Sequence, residues 1–232
     1  MSKVGRKMQW FRPWGPPVVQ TTISDELQAI LLKGGNKIRK SSKLKKQNDY
    51  RKRLAGNIKE EYAFNNCWSK KEESIVKEEF TWLASLYTHT CKDMAKNRDY
   101  ARTPKQLMMM KPVWINYMKQ GEWNPVHNHT GDISCVTYLK VPKEIEDENK
   151  TKDASKESNT PTAGRIEFRY GDSIGYGCSG IMKTPREKDI YFFPAKLEHM
   201  VYPFQSKTER ISVSVNFIDL QMTSIVNRDG YV

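Results

Sequence analysis

"YMKQGEWNPVHNHTGDISCVTYL", residues 117–139, decides how the rest of the chain is read. It holds two of the four histidines, His127 and His129, one residue apart, and runs directly into the strand-like "ISCVTYL". Alternate side chains of an extended chain share a face, so both imidazoles would point the same way. Two neutral imidazoles on one face can chelate one metal, and a third ligand must then arrive from elsewhere. The bland alternative is a pair that only hydrogen-bonds at a strand end. His199, in "FFPAKLEHMVYPF" between two strand-like runs, is the candidate third ligand. His89 falls off the apolar stripe of a helical segment and reads as a surface residue.

Around this stretch the texture after Pro104 is that of a β domain. "LMMMKPVWINYMK", "ISCVTYLKV", "GRIEFRY", "DIYFFP" and "RISVSVNFIDL" are short runs rich in β-branched and aromatic residues, separated by glycine, proline and polar loops. The methionines Met108, Met109 and Met110 read as pliable core filler. Before Pro104 the pattern is helical. Ser24 can cap "DELQAILLK", with Leu27, Ile30 and Leu31 on one face and Gly34-Gly35 as a stop. Ser69 and Glu72 form a capping box ahead of a long helix. There Val76, Phe80, Leu83, Tyr87, Cys91 and Met94 recur at three- and four-residue steps, a face that should lie against a sheet. Helices followed by many short strands predict one α+β domain, mainly β, ending in a sandwich or jelly roll. The expected division is residues 1–105 as a basic, helical support and 106–232 as the core, integrated into one domain.

Two irregular segments interrupt the strands. Residues 143–163, with Ile145 as their one branched apolar side chain, are too polar to fix a conformation and are expected to form a mobile loop at the site mouth. Residues 171–180 are rich in glycine and read as another rim loop.

Composition bounds the rest. At 232 residues with 38% hydrophobic content, the chain can build one substantial core. No apolar run approaches the ~20 residues that span a bilayer. The N-terminus is basic and tryptophan-rich without the apolar stretch of a secretory signal, so a soluble, cytoplasmic protein is expected. Cys67, Cys91, Cys135 and Cys178 form no Cys-x-x-Cys pair and are expected as reduced, structural thiols. Much of the net charge of +12 is concentrated in residues 37–53, "KIRKSSKLKKQNDYRKR", where only Asp49 carries the opposite sign. Such a run can neutralise phosphates of nucleic acid or of a ribosome. It can equally be a solvated surface segment, and only Tyr50 is available there to stack on a base.

Taken in order, Tyr117, Gly121, His127-x-His129, Tyr138-Leu139, Phe193-Pro194, His199 and Arg210-x-Ser212 resemble the core of the Fe(II)/2-oxoglutarate-dependent oxygenases, in particular the prolyl 4-hydroxylase-like branch with its uncharacterised bacterial and phage members. The resemblance covers nearly half the chain. It implies a double-stranded β-helix (jelly-roll, cupin-like) core with the N-terminal helices packed on its sheet. It also implies Fe(II) as cofactor, 2-oxoglutarate and O2 as co-substrates, and hydroxylation of an amino-acid side chain, prolyl in a peptide or protein. His127, His129 and His199 would hold the iron. Arg210 would pair with the distal carboxylate of 2-oxoglutarate, as a guanidinium can do bidentately. Ser212, on the same strand face, could donate to that carboxylate, Tyr138 would add a hydroxyl, and Tyr117 would line the cavity.

The sequence departs from the family at one ligand. His129 stands where an aspartate is usual, and Asp132 could replace it if the strand ends early and the loop folds back. Two other readings stay open: a non-catalytic jelly-roll module binding nucleic acid or an acidic partner through its basic half, and a three-histidine dioxygenase needing no co-substrate. Neither explains Arg210-x-Ser212.

Overall fold

A computed structural model describes residues 8–11, 15–95, 108–110, 112–150, 161–172 and 179–219. The strands are β1 (Gln9–Phe11), β2 (Val18–Thr22), β3 (Glu61–Ala63), β4 (Met108–Met110), β5 (Trp114–Lys119) and β6 (Asn124–His127), followed by β7 (Ile133–Lys140), β8 (Ile166–Arg169), β9 (Gly180–Lys183), β10 (Asp189–Pro194), β11 (Glu198–Val201) and β12 (Glu209–Asp219). The helices are α1 (Asp25–Arg39), α2 (Ser42–Asn48), α3 (Lys70–Ala95) and α4 (Lys143–Lys150). An eight-stranded sheet runs β1-β2-β10-β7-β12-β5-β3, with β4 also on β12, and a four-stranded sheet runs β6-β11-β8-β9. The pairings are antiparallel throughout. This is a jelly-roll core with helices on the outer face of its larger sheet.

Alternation sorts the core into two halves. On the larger sheet Ile115, Cys135, Leu139, Phe192, Ile211, Val213 and Phe217 pack with Leu27 and Leu31 of α1 and Val76, Phe80 and Leu83 of α3. Their strand neighbours Met118, Tyr138, Tyr191 and Phe193 face the smaller sheet and pack on Ile166, Phe168 and Val201. The first half is pure support, and the second surrounds the site. The helical stripe on α3 therefore lies on the sheet as its periodicity requires, with Tyr87 stacked 6.0 Å from Phe192. Cys91 is half-buried, and the side chain of Met94 lies outside the described residues.

Both helix starts form as the sequence predicts. Ser24 Oγ accepts the N–H of Leu27 at 3.0 Å, and Asp25 and Glu26 occupy the first turn. Ser69 and Glu72 exchange the two bonds of a capping box, at 2.8 and 3.3 Å. Gly34 and Gly35, however, do not end α1, which continues to Arg39. The glycines are there for space. A Cβ on Gly34 would strike the indole of Trp68, and one on Gly35 would strike the Tyr117 hydroxyl and come 2.7 Å from Ile115 Cδ1. They let the helix axis approach the sheet, which outweighs the weak helix propensity of glycine.

Residues 143–150 also differ from the expected loop. They form α4, held by the buried Ile145, by Glu148 accepting the N–H groups of Gln205 and Ser206 at 2.9 Å, and by Asn149 donating to the Ala163 carbonyl at 2.8 Å. Salt bridges Lys143–Asp147 and Glu146–Lys150 at i,i+4 spacing support the turn. Composition predicted disorder because it does not register a single apolar anchor and a cross-strand carboxylate. Residues 151–160 and 173–178 of the two irregular segments lie outside the described residues.

The basic segment 37–53 is folded as the end of α1, α2 and a short 3-10 turn over Arg51–Arg53. Part of its charge is already engaged: Arg39 pairs with Glu60 and Glu209, and Arg51 with Asp49. Cys67, Cys91 and Cys135 form no disulfide among the described residues, and Cys178 lies outside them. No described helix is long and apolar enough to cross a membrane.

The glycine packing is testable. Gly35→Ala should lower unfolding stability by roughly 1–3 kcal/mol in urea melts, the overpacking cost of a well-filled core, although alanine is the better helix former. A stabilised variant would show that Tyr117 can move aside.

Candidate active site

Three elements bring the histidines together. β6 and β11 are antiparallel neighbours, and His127 and His199 are directly opposed in their register. β6 ends at His127, so His129 is not on a continuing strand as the sequence suggests. It is positioned by loop bonds instead: its N–H donates to the Ala195 carbonyl at 2.7 Å, and Ala195 N–H donates to the Asp132 carbonyl at 2.9 Å. Gly131 permits this turn, with φ of 95° and no room for a Cβ beside the Phe217 carbonyl, 2.7 Å away. The outcome is a cluster in which one ring nitrogen from each of the three imidazoles lies within 4.8 Å of the others. His129 Nε2 and His199 Nε2 are 3.2 Å apart.

Tautomers follow from the backbone. His127 Nδ1 lies 2.7 Å from the Pro125 carbonyl and His199 Nδ1 lies 2.9 Å from that of Leu197. A carbonyl only accepts, so both Nδ1 atoms carry the proton and both Nε2 lone pairs are free. Phe193 and Phe168 wall in the His199 ring, at 4.7 and 6.1 Å between centroids. Burial holds all three imidazoles below their ordinary basicity, His129 at about 4, and the mutual repulsion of the rings adds to this for His129 and His199. At neutral pH the cluster is uncharged, the form a metal requires.

Asp132 does not join it. The strand does end early, but the loop folds the other way: Asp132 Oδ2 accepts the N–H of Asp219 at 2.7 Å and closes the end of β12. Among the described residues His127, His129 and His199 are the one group with metal-ligand geometry.

The cavity beside the histidines is lined from β12 by Arg210, Ser212 and Ser214 and from β7 by Val136 and Tyr138. Arg210 is 2% exposed, and no carboxylate pairs with it among the described residues. Its Nη1 donates to the Gly164 carbonyl at 2.8 Å, Nη2 contacts Met118 Sδ at 2.8 Å, and Nε has no partner. Desolvation lowers its basicity, but a guanidinium is basic enough to remain cationic. The guanidinium lies 5.3 Å from the centre of the Tyr138 ring, whose buried hydroxyl is also unpartnered. Burial raises that phenol to about 12, so it is a donor. A register shift between Ile211 and Ser212 brings Ser212 opposite Tyr138. A buried cation beside idle donors is complementary to an anion.

Tyr117 is placed elsewhere. It turns to the helical face, beneath Arg39 at 4.1 Å from its ring centre and against Gly35, while its neighbours Trp114 and Asn116 line the cavity. The alternation of β5 forces this, because Tyr117 pairs with Ile211, itself a core residue. His89 is exposed on α3, as expected. Glu61, Trp114, Asn116 and Asn124 also line the cavity and escaped the sequence reading. All four lie on short strands with no apolar alternation to signal a face.

A jelly roll with three convergent imidazoles and a buried arginine that no carboxylate pairs among the described residues has the layout of a non-haem metal oxygenase. Residues 112–216, which carry every one of these groups, match the family model described as a putative 2OG-Fe(II) oxygenase. No curated protein sequence matches the chain. Its fold is similar to AviO1 from Streptomyces viridochromogenes Tue57 (10% identity over 87% of this chain and 89% of that one, TM-score 0.51). It is also similar to the non-heme alpha-ketoglutarate-dependent carbocyclase SnoK from nogalamycin biosynthesis (14% identity, 87% and 79% covered, TM-score 0.50). A Pseudomonas putida prolyl-4-hydroxylase aligns over 87% of this chain and 92% of its own at 10% identity, with a TM-score of 0.48.

The buried neutral imidazoles give a prediction for the metal-free protein. Unfolded histidines take up protons near 6.5, whereas His129 does so only at about 4, so the folding contribution is complete above pH 6.5 and is lost as pH falls toward 4. Urea midpoints measured across this window should fall with acid more steeply in wild type than in His129→Asn.

Proposed function

We propose that this oxygenase hydroxylates an amino-acid side chain, prolyl in a peptide or protein, with His127, His129 and His199 as iron ligands and Arg210, Ser212 and Tyr138 as the 2-oxoglutarate pocket. The observation that carries the reading is the buried, carboxylate-free guanidinium of Arg210 in the same cavity as three neutral imidazoles. A binding module has no use for either. The prolyl assignment rests on the order of motifs shared with prolyl hydroxylases. We further infer that residues 1–105 and the core fold as one unit, since β1, β2 and β3 belong to the larger sheet.

The chain's own groups fit the cofactor. His127 and His199, whose Nδ1–H groups donate to backbone carbonyls, keep Nε2 free to bind, and the three imidazoles leave the charge of a divalent iron uncancelled. With Arg210 the site would be strongly cationic, which suits a dianionic 2-oxo acid. Bound iron and co-substrate supply the oxidation, O2 being reduced as 2-oxoglutarate loses CO2 and becomes succinate. Arg210 orients the co-substrate through its distal carboxylate, with hydroxyl donation from Tyr138 and Ser212. Phe168, Phe193 and Ile166 exclude water from the histidine side of the cavity. No specific observation favours nucleic-acid binding by residues 37–53.

His199→Ala should lose iron, measured by metal analysis after desalting, together with 2-oxoglutarate turnover. His129→Asp should keep both, since a carboxylate is the family's usual ligand there. Arg210→Lys should raise the KM for 2-oxoglutarate about ten- to a hundredfold, the loss of a charge-assisted bond contributing roughly 1.5–3 kcal/mol. An unaltered KM in that variant would remove the co-substrate assignment.

A further inference from the structure

The same cavity has a further wall, built from β3 and β5. Glu61 on β3 is 2% exposed and lies directly opposite Asn116 on β5. Tyr62 and Phe64 turn toward the helices, so Glu61 turns inward, and it lines the cavity, as do Trp114 and His129. Among the described residues no hydrogen bond or ion pair engages its carboxyl. Asn116 Oδ1 is likewise buried without a partner. Two unpartnered polar groups, adjacent across one strand pair and facing one cavity, cost stability unless a ligand completes them.

We propose that Glu61 and Asn116 form a peptide-recognition pair, the Glu61 carboxylic acid donating to a substrate main-chain carbonyl and Asn116 Oδ1 accepting a substrate main-chain N–H. The proposal rests on the oxygenase and peptide readings above and names the groups that would hold the substrate backbone. Directly opposed residues of an antiparallel pair have Cβ atoms about 4.5–5.5 Å apart, so both can reach one extended substrate residue. Burial raises Glu61 to about 8, and the nearby Glu122 carboxyl adds to this, leaving Glu61 protonated and able to donate at neutral pH. Glu122 is itself occupied, accepting the N–H groups of Lys119 at 2.9 Å and Lys59 at 3.3 Å. Arg51, whose charge opposes this shift, is held by both carboxylate oxygens of Asp49 at 2.9 and 2.5 Å. A neutral acid beside an amide presents one donor and one acceptor, the complement of a peptide group. A cationic substrate suits the wall less well, since Arg210 already charges the cavity.

The test is calorimetric titration of the anaerobic Fe(II)–2-oxoglutarate protein with N-acetylproline N-methylamide and with its methyl ester, which lacks the N–H, and with the corresponding N-acetylalanine pair. Wild type should bind each amide about five- to tenfold more tightly than its ester. Asn116→Leu should abolish that ratio. Glu61→Met should weaken amide and ester alike by a similar factor, and Glu61→Gln, which keeps a donor, should restore binding. Equal binding of amide and ester, no binding of any probe, or a Glu61→Gln protein as weak as Glu61→Met would overturn the proposal. The wild-type amide-to-ester ratio decides the matter even where a variant does not fold. A ratio kept with the alanine pair but no preference for proline supports the peptide pair and removes the prolyl reading. Absence of the Fe(II)–2-oxoglutarate absorption band removes the oxygenase reading, while the ratio itself still decides the pair.

Discussion

The two-faced alternation of β12 is the constraint on which the molecule depends. Ile211, Val213, Val215 and Phe217 belong to the core beneath α1 and α3, while Arg210, Ser212 and Ser214 line the cavity. The strand pairs with β7 on one side and with β5 and β4 on the other, so it fixes the register of the sheet's centre. A slip of one residue would exchange the faces, burying a guanidinium under the helices and presenting valines to the cavity. Core stability and site chemistry are therefore secured by the same pairing. Arg39 reinforces it, joining Glu60 before β3 to Glu209 at the start of β12, with Lys119 completing the ion cluster on Glu60.

The site divides electrostatically. The histidine end is neutral because burial strips protons from imidazoles, whereas the Arg210 end stays cationic because guanidinium basicity is too high for burial to overcome. Burial thus leaves neutral imidazoles at one end of the cavity, with help from the rings' mutual repulsion, and a fixed positive charge at the other. The same desolvation leaves Glu61 a neutral acid. Three residue types respond differently to one dry environment, and the cavity acquires three chemically distinct walls without a carboxylate to mediate between them.

Much of this was legible in the sequence where a local pattern had a single physical meaning. "RISVSVNF" announces its two faces by period-two alternation, and the Ser24 and Ser69–Glu72 caps announce helix starts. Patterns with two meanings were misread. Gly34-Gly35 can stop a helix or let one approach a sheet, and only the neighbouring Trp68 and Tyr117 decide. Tyr117 sits in a run, "WINYM", that is buried on both faces, so its direction cannot be seen without knowing which face meets the helices. Glu61 was invisible because β3 is three residues long, and a glutamate next to Lys59 and Glu60 looks solvated. The 143–150 helix was missed because its stability comes from contacts with residues 163, 205 and 206.

His127 and His199 each direct Nδ1 to the carbonyl of the residue two positions earlier, Pro125 and Leu197. In many histidine sites a carboxylate side chain performs this task, and a mutation can delete it. Here the orienting atoms are main-chain oxygens, which every amino acid supplies. The imidazoles are thus insulated against sequence drift in their surroundings, and the chain can diverge widely around them while two ring orientations persist. A point mutation cannot erase the acceptor; it can only displace the strand that carries it.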